Sequence, residues 1–522
     1  MADITITKLN DVWMKIVCSE IYMEMDIQDR FSFDIGNQFD PRVKNGHWDG
    51  IKRLYNRRNK KMYTGLLYKL LEFCDKKGFS THIDPDLIPS GESLEDDDLH
   101  NLYEFINPHT NGEKLSVYDY QHEAVKYMLN MNRTTCLAAT SAGKSLIIYL
   151  ATRIYQLLDD LHGKKIVVIV PNKSLVNQLY SDFDDYSSFD GQEWYAYRNV
   201  KKLSGDYDKN IDDHQIIVTT WQTWCKFPSW VYEEVGAIIV DEVHGASANV
   251  LTNILESSTK TSIRHGLTGT LDGLECNELI VQGLLGPSKR IVTSKQLIDQ
   301  GRASGLNINV TLLRHSHEYA KEVFNDKKGM KGKSKFEYEL GFLYANKERR
   351  RFIKQAVSSV SGNTLVAFDR VENYGKPLYE EYKTEYGGNV FLIVGSTEAD
   401  EREQIRKLME DYDDAVIFAS YGTMSTGVSI KKLHNLFLIS SSKSVIRVLQ
   451  TLGRMMRLHK SKTNANIFDI VDDLTYEGDA NYMLTHAQER IQMYHNEGYE
   501  INFNTFDIKK DSKSANENPM SL

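Results

Sequence analysis

Residues 134–150 read TTCLAATSAGKSLIIYL. An apolar run of buried-strand length passes through a small-residue turn into an apolar helical run, with Thr140, Gly143, Lys144 and Ser145 in the turn. A Gly-Lys-Ser placed between strand and helix suits an anion. Gly143 lets backbone amides face the charge without a side chain in the way, the helix N-terminus adds positive dipole, and Lys144 supplies a cation for β and γ phosphates. Ser145 then becomes a magnesium ligand. The standard phosphate-loop pattern has glycine where this chain has Ala138. A second signal supports the reading: the apolar run GAIIV ends in Asp241-Glu242-Val243-His244, 97 residues beyond Lys144. That spacing holds two or more βα units, and carboxylates at the C-terminal end of a parallel strand face the same crevice as the loop. Asp241 can hold magnesium while Glu242 takes a proton from an attacking water.

Working outward, buried-strand runs TTCLAA, KIVVIV, QIIVTT and GAIIVDE alternate with helical stretches from about residue 113. A second set, NTLVAF, NVFLIV, DAVIFAS, NLFLIS and NIFDIV, begins near residue 363. Such alternation predicts two tandem α/β domains, each a parallel sheet covered by helices on both faces. The expected boundaries are 113–290 and 291–505, with a flexible tail over 506–522. A small α+β unit is expected over 1–100, from alternating strands (ITITKL, VWMKIVC, RFSFDI) and a helix in GLLYKLLEFC, followed by an acidic linker to 112. Between the tandem domains, KEVFNDKKGMKGKSK at 321–335 reads as an exposed flexible loop.

Composition narrows the function classes. With 522 residues, 41% hydrophobic and 26% charged, the chain is a multidomain globular protein, too large for a small binding module. No apolar run has the length of a membrane span, and the amino terminus lacks a secretory pattern, so an intracellular setting without membrane partners is expected. Five cysteines at least 51 residues apart form neither a disulfide framework nor a metal knuckle and read as core thiols. Net charge is −9, yet residues 42–77 hold eleven Lys or Arg against three Asp or Glu, a local balance of +8. Lys52, Arg53, Arg57, Arg58, Lys60 and Lys61 can neutralise phosphates there, with Trp48, Tyr55 and Tyr63 interleaved as stacking or wedge residues.

Further motifs carry a family resemblance. V-Y-D-Y-Q-H-E-A at 117–124, V-P-N-K-S-L-V-N-Q at 170–178, T-T-W-Q at 219–222 and L-T-G-T at 267–270 surround the acidic motif in the first domain. The second holds T-L-V-A-F-D-R at 364–370, S-Y-G-T-M-S-T-G-V-S-I at 420–430 and Q-T-L-G-R-M-M-R at 450–457. In type and order these resemble the motifs of superfamily-two helicases and translocases of the D-E-x-H subset, over residues 113 to about 475. The resemblance implies two RecA-like domains and hydrolysis of ATP with Mg2+. It makes Gln121 the adenine-reading amide, in a motif where Tyr118 replaces a frequent arginine. Asn172, Lys173, Thr220 and Thr426 become nucleic-acid contacts. His244, Thr268 and Thr270 become coupling residues, with His244 facing Gln450. Arg454 and Arg457, expected on one helical face, become arginine fingers for the γ phosphate.

The whole chain, N-terminal unit included, resembles the recombination helicases of T-even bacteriophages. This implies action on forked or branched DNA, displacement loops and RNA–DNA hybrids, in the cytoplasm of an infected bacterial host; a monomer is compatible with the sequence, which does not set the oligomeric state. The motor motifs also serve RNA helicases, and an ATP-switched clamp without strand separation would keep the same nucleotide site.

Overall fold

Alternating buried and exposed residues build a five-stranded sheet at the start of the chain in the computed structural model: β1 (Ile4–Lys8), β2 (Trp13–Cys18), β3 (Tyr55–Asn56), β4 (Lys61–Tyr63) and β5 (Thr81–Ile83), in the order β3-β4-β2-β1-β5. Ile4, Ile6, Met14, Ile16 and Met62 are completely buried on one face, under the helices Ile21–Arg30 and Leu67–Lys77. The structure describes residues 2–35, 41–88, 94–157, 161, 163–190, 194–205, 210–211, 213–243, 249–271, 274–425, 430–440, 448, 451–453 and 455–509.

The phosphate-loop domain is a seven-stranded, all-parallel sheet: β6 (Arg133–Ala138), β7 (Lys165–Val170), β8 (Val200–Leu203), β9 (Ile216–Thr220), β10 (Val235–Asp241), β11 (Ile263–Thr268) and β12 (Ser288–Val292), ordered β8-β9-β7-β10-β11-β6-β12. The second sheet is also seven-stranded and parallel: β13 (Gly305–His315), β14 (Thr364–Phe368), β15 (Val390–Ile393), β16 (Val416–Ser420), β17 (Asn435–Leu438), β18 (Asn464–Asp473) and β19 (Ile501–Ile508), ordered β15-β16-β14-β17-β18-β13-β19. Numbered within each sheet, both follow the order 3-4-2-5-6-1-7. The halves share a topology without sharing a sequence, as tandem RecA-like domains do.

The chain divides into two compact units, Met1–Val292 and Thr293–Leu522, so the N-terminal sheet and the first RecA-like domain form one body. A single hydrophobic cluster runs from Ile4 and Met14 through Leu66 and Leu70 to Val240, Leu251 and Leu284. At the seam Tyr63 stacks on Trp13 at 4.5 Å and donates to Glu256 Oε1 at 2.5 Å, while Arg133 donates to the Asp11 carbonyl. Gly65 and Gly283 allow the approach: a methyl at Gly65 would overlap the Gln282 carbonyl oxygen, and one at Gly283 would lie 2.8 Å from the Tyr63 ring.

Several expectations need correction. The acidic connection contains a helix, Asp96–Ile106, whose Glu95 and Asp98 form a reciprocal capping box and whose Leu99, Tyr103 and Ile106 are buried. The expected flexible loop 321–335 is occupied by helices His317–Asp326 and Gly332–Ala345, joined by a short turn. Ala320, Val323, Leu340 and Leu343 give these helices a buried side, and Lys327, one of the lysines that suggested exposure, pairs with the buried Glu339 at 2.8 Å. The tail expected from residue 506 is strand to Ile508, with Phe506 packed on Phe352. All five cysteines are free, and Cys225 is exposed rather than in the core.

Candidate nucleotide site and nucleic-acid contacts

Three adjacent strands deliver the site. β6, β11 and β10 lie side by side, and register places Leu137 beside Thr268 and Asp241 beside Leu267, so the phosphate loop, the acidic pair and the Thr268–Thr270 segment leave the same sheet edge. Ala138 still pairs in the ladder, with Val292, and is fully buried. Its backbone is extended, which explains why glycine is dispensable there. The positive φ values fall later, on Ser141 (75°) and Gly143 (74°), and Lys144 opens the following helix, Lys144–Leu157. Glu242 also has positive φ, 53°. Non-glycine residues held there carry strain that the surrounding fold must impose, and such residues gather at functional sites.

Lys144 Nζ lies 3.2 Å from Glu242 Oε1, with both side chains mostly buried. Burial alone would depress the lysine pKa, but the Glu242 and Asp241 carboxylates outweigh it and hold the value above normal, so Lys144 stays charged. Asp241 Oδ1 accepts from the Glu242 backbone N–H at 2.9 Å, and the single Thr268 hydroxyl proton is shared between the Thr270 carbonyl at 3.0 Å and Glu242 Oε2 at 3.4 Å. Gly269 brings the Thr268–Thr270 segment against the loop, where a methyl would lie 3.4 Å from Thr140 Oγ1. Among the described residues no three His, Cys, Asp or Glu side chains could hold a metal by themselves. The donors at hand, Ser145 and Asp241, match an ion that takes its remaining ligands from phosphate and water.

Two contacts went unread in the sequence. Gln121 accepts from the Tyr118 N–H and donates to the Ala142 carbonyl, both at 3.0 Å, so its buried amide braces the phosphate loop. Tyr186 closes the helix Lys173–Tyr186, and its hydroxyl lies 3.0 Å from Ser145 Oγ. Nothing local in the sequence announces a pairing across 41 residues.

The residues expected to contact DNA divide. Asn172 and Thr220 cap helices, accepting from Leu175 N at 3.0 Å and Thr223 N at 3.3 Å, and Thr220 is buried. Lys173 follows Asn172 at the exposed start of its helix. In the basic block Arg53 pairs with Asp49 at 2.6 Å, Lys60 with Glu24 at 2.9 Å, and Arg57 donates to Gln28 at 3.4 Å. Lys52 and Arg58 are exposed, and Lys61 is half-buried. Tyr55 and Tyr63 are not wedges: Tyr55 is buried in the core beside Met62, and Tyr63, on the opposite face of the sheet, is buried at the seam. Trp48 donates to the Ile51 carbonyl at 3.0 Å. In the second unit Arg457 lies in a bend beyond the helical residues 451–453 and 455, not on the helix itself. Ser304 ends that helix by donating from its backbone to Met456 O at 2.7 Å and from its hydroxyl to Arg457 O at 3.2 Å. His244, Thr426, Gln450 and Arg454 lie outside the described residues.

Two family models match the chain: "Type III restriction enzyme, res subunit" over residues 114–273 and "DNA helicase UvsW, N-terminal" over residues 3–84. The ATP-dependent DNA helicase uvsW of Enterobacteria phage T4 is 31% identical over 512 residues, 95% of this chain and 98% of that protein. The chain belongs to the UvsW family of ATP-dependent DNA helicases. The crystal structure of T4 UvsW covers 97% of this UvsW-family chain and 99% of its own, at 30% identity and a TM-score of 0.51. The type ISP restriction-modification enzyme LlaBIII, bound to DNA, matches 86% of this chain and 34% of its own at a TM-score of 0.55 and 12% identity, a likeness of fold. Among the described residues of this UvsW relative, no helix is long and apolar enough to cross a membrane.

Proposed function

We propose that this helicase unwinds or branch-migrates forked and junction DNA, displacement loops and RNA–DNA hybrids in recombination, repair and replication, within the cytoplasm of an infected bacterial host. The convergence of Lys144, Asp241, Glu242 and Thr268 on one sheet edge, in a chain that aligns with T4 UvsW almost end to end, carries the reading.

The geometry of the loop suggests how the residues act. Lys144 is held by Glu242, so an arriving triphosphate would draw the ammonium toward its β and γ oxygens and release Glu242 for the attacking water. Ser145 and Asp241 would hold a magnesium ion, which supplies charge neutralisation on the phosphates when bound. Gln121 keeps the loop in its cradle shape and leaves part of its amide for the adenine. Thr268, bonded to Glu242, would report the state of the base to the Thr270 segment. The motif order supports Arg454 and Arg457, with Gln450, as the groups that stabilise charge on the γ phosphate, His244 as their coupling partner, and Thr426 as a strand contact.

The test is a panel of single strand, duplex, fork, four-way junction and RNA–DNA hybrid, scored for ATP hydrolysis and strand release. Wild type should release strands from the branched and hybrid substrates only with hydrolysable ATP. Lys144→Ala should abolish hydrolysis, and Glu242→Gln should bind ATP while losing roughly 10²–10⁴-fold in turnover. Release with a non-hydrolysable analogue would show a clamp, stimulation by RNA alone would show an RNA helicase, and steady-state turnover by Glu242→Gln close to that of wild type would remove it as the base.

A further inference from the structure

The face of the N-terminal sheet opposite its core carries an arrangement that stability alone does not explain. β2 and β4 are antiparallel, and their register sets Lys15 directly opposite Lys61. Directly opposed residues share a face with Cβ atoms about 4.5–5.5 Å apart, and like charges there repel. Several cations nearby are neutralised, Lys60 by Glu24, Lys77 by Asp26, Arg53 by Asp49 and Lys76 by Glu72, while among the described residues Arg57 bonds only to Gln28, and Lys52 and Arg58 are exposed. Among the described residues neither Lys15 nor Lys61 has a carboxylate partner.

Their neighbours are suited to an anion. Register places Thr7 beside Lys15 and Asn56 beside Lys61, then Thr5 beside both Val17 and His82, all on the same open face. Lys15, Asn56 and His82 are exposed, as is Val17 at 39%. The surface is therefore an uncovered strip of two ammonium groups, hydroxyls and an amide, with no acid in register with them.

One end of the strip is anchored. Two residues along both strands, about 7 Å away, the same face continues into the Trp13–Tyr63 stack, whose tyrosine is bonded to Glu256 of the first RecA-like domain. A strand held on this face keeps a set distance from the sheet that bears the phosphate loop.

We propose that this open face, centred on the Lys15–Lys61 pair, binds the phosphate backbone of the DNA substrate. The proposal rests on the DNA-helicase reading and moves the contact from the basic block as a whole to a cross-strand pair that includes Lys15, outside that block. Phosphate supplies the missing counter-charge, and a chain of net charge −9 needs such a local site to hold a polyanion.

The experiment is the full-length Lys15→Thr/Lys61→Thr variant, titrated with duplex and with single-stranded DNA at several salt concentrations beside its thermal unfolding. Loss of two phosphate contacts should flatten the slope of log K against log salt by about 1.8 for duplex or about 1.4 for single strand. For duplex, the affinity lost between 50 and 200 mM salt should shrink by about 12-fold. The melting temperature should hold or rise, because repulsion is relieved and threonine suits a strand. Lys76→Thr, on an exposed helical pair, should leave the slope unchanged. An unchanged slope in the double variant overturns the proposal, and so does weakened binding accompanied by a lower melting temperature, which would make the pair structural. If the slope flattens while wild type releases no strands with ATP, the helicase reading fails and this surface stands.

Discussion

Gly143→Ala tests whether the Gln121 brace shapes the phosphate loop. At Gly143 φ is +74°, and an added methyl would lie 2.5 Å from Gln121 Nε2. Two costs follow. Holding an L-residue in the left-handed region costs about 1–2 kcal/mol. Displacing the buried Gln121 amide breaks its bond to the Ala142 carbonyl and leaves buried polar groups unsatisfied, about 1–3 kcal/mol. The single variant should therefore lose roughly 2–5 kcal/mol. In a Gln121→Ala background only the backbone cost remains, about 1–2 kcal/mol, so the two substitutions should couple by about 1–3 kcal/mol. Urea unfolding of the four proteins measures the cycle, and ATP hydrolysis in parallel should fall in every variant in which the brace is broken. Additivity within about 0.5 kcal/mol would refute the brace. A Gln121→Ala variant that keeps its KM for ATP would refute its role in the site.

Two further predictions probe the same domain. Tyr186→Phe removes the hydroxyl bonded to Ser145 while keeping the ring that packs on Tyr149, so the magnesium concentration giving half-maximal hydrolysis should change several-fold without loss of stability; an unchanged magnesium titration would remove Tyr186 from the site. His265 is fully buried between Thr134 Oγ1 (2.9 Å) and Tyr155 OH (2.7 Å), and burial lowers its pKa to about 3. The unfolded chain protonates near pH 6.5 and the folded one does not, so stability is lost as pH falls from about 6.5 toward about 3, at up to about 1.4 kcal/mol per unit. Unfolding measured against pH should show this slope, flattened in His265→Gln; equal slopes in both would refute it.

The strands legible in the sequence were β1 and β2, by their alternation, and the interior strands whose residues are nearly all apolar. KIVVIV and DAVIFAS are continuous apolar runs, because parallel strands between two helical layers meet no water. β11, β13 and β19 carry polar residues along their length, Arg264 and His265, Asn307 and Asn309, and Asn502 and Asn504, and the hydrophobic signal thins accordingly. The helices in 317–345 were hidden for a related reason: lysines dominate composition, while buried Val323, Leu340 and Leu343 decide the structure. The aromatics of the basic block were misread because composition does not say which way a strand side chain points. Two-residue periodicity turned Tyr55 inward beside Met62 and set Tyr63 on the same face as Lys15 and Lys61, where contact with the first RecA-like domain buries the tyrosine.

The sequence by itself determined the chemistry of the nucleotide site and the order of its parts, since a phosphate loop and an acidic strand end require particular residue types at particular junctions. Tertiary structure alone decided which distant groups meet those parts. Gln121 under the loop, Tyr186 on Ser145, the seam joining the N-terminal sheet to the first RecA-like domain, and the opposed lysines all depend on strand order and register. The physical reason is range: a turn or a cap is set by a few neighbouring residues, whereas a contact across 41 or 193 residues exists only once the sheets have assembled.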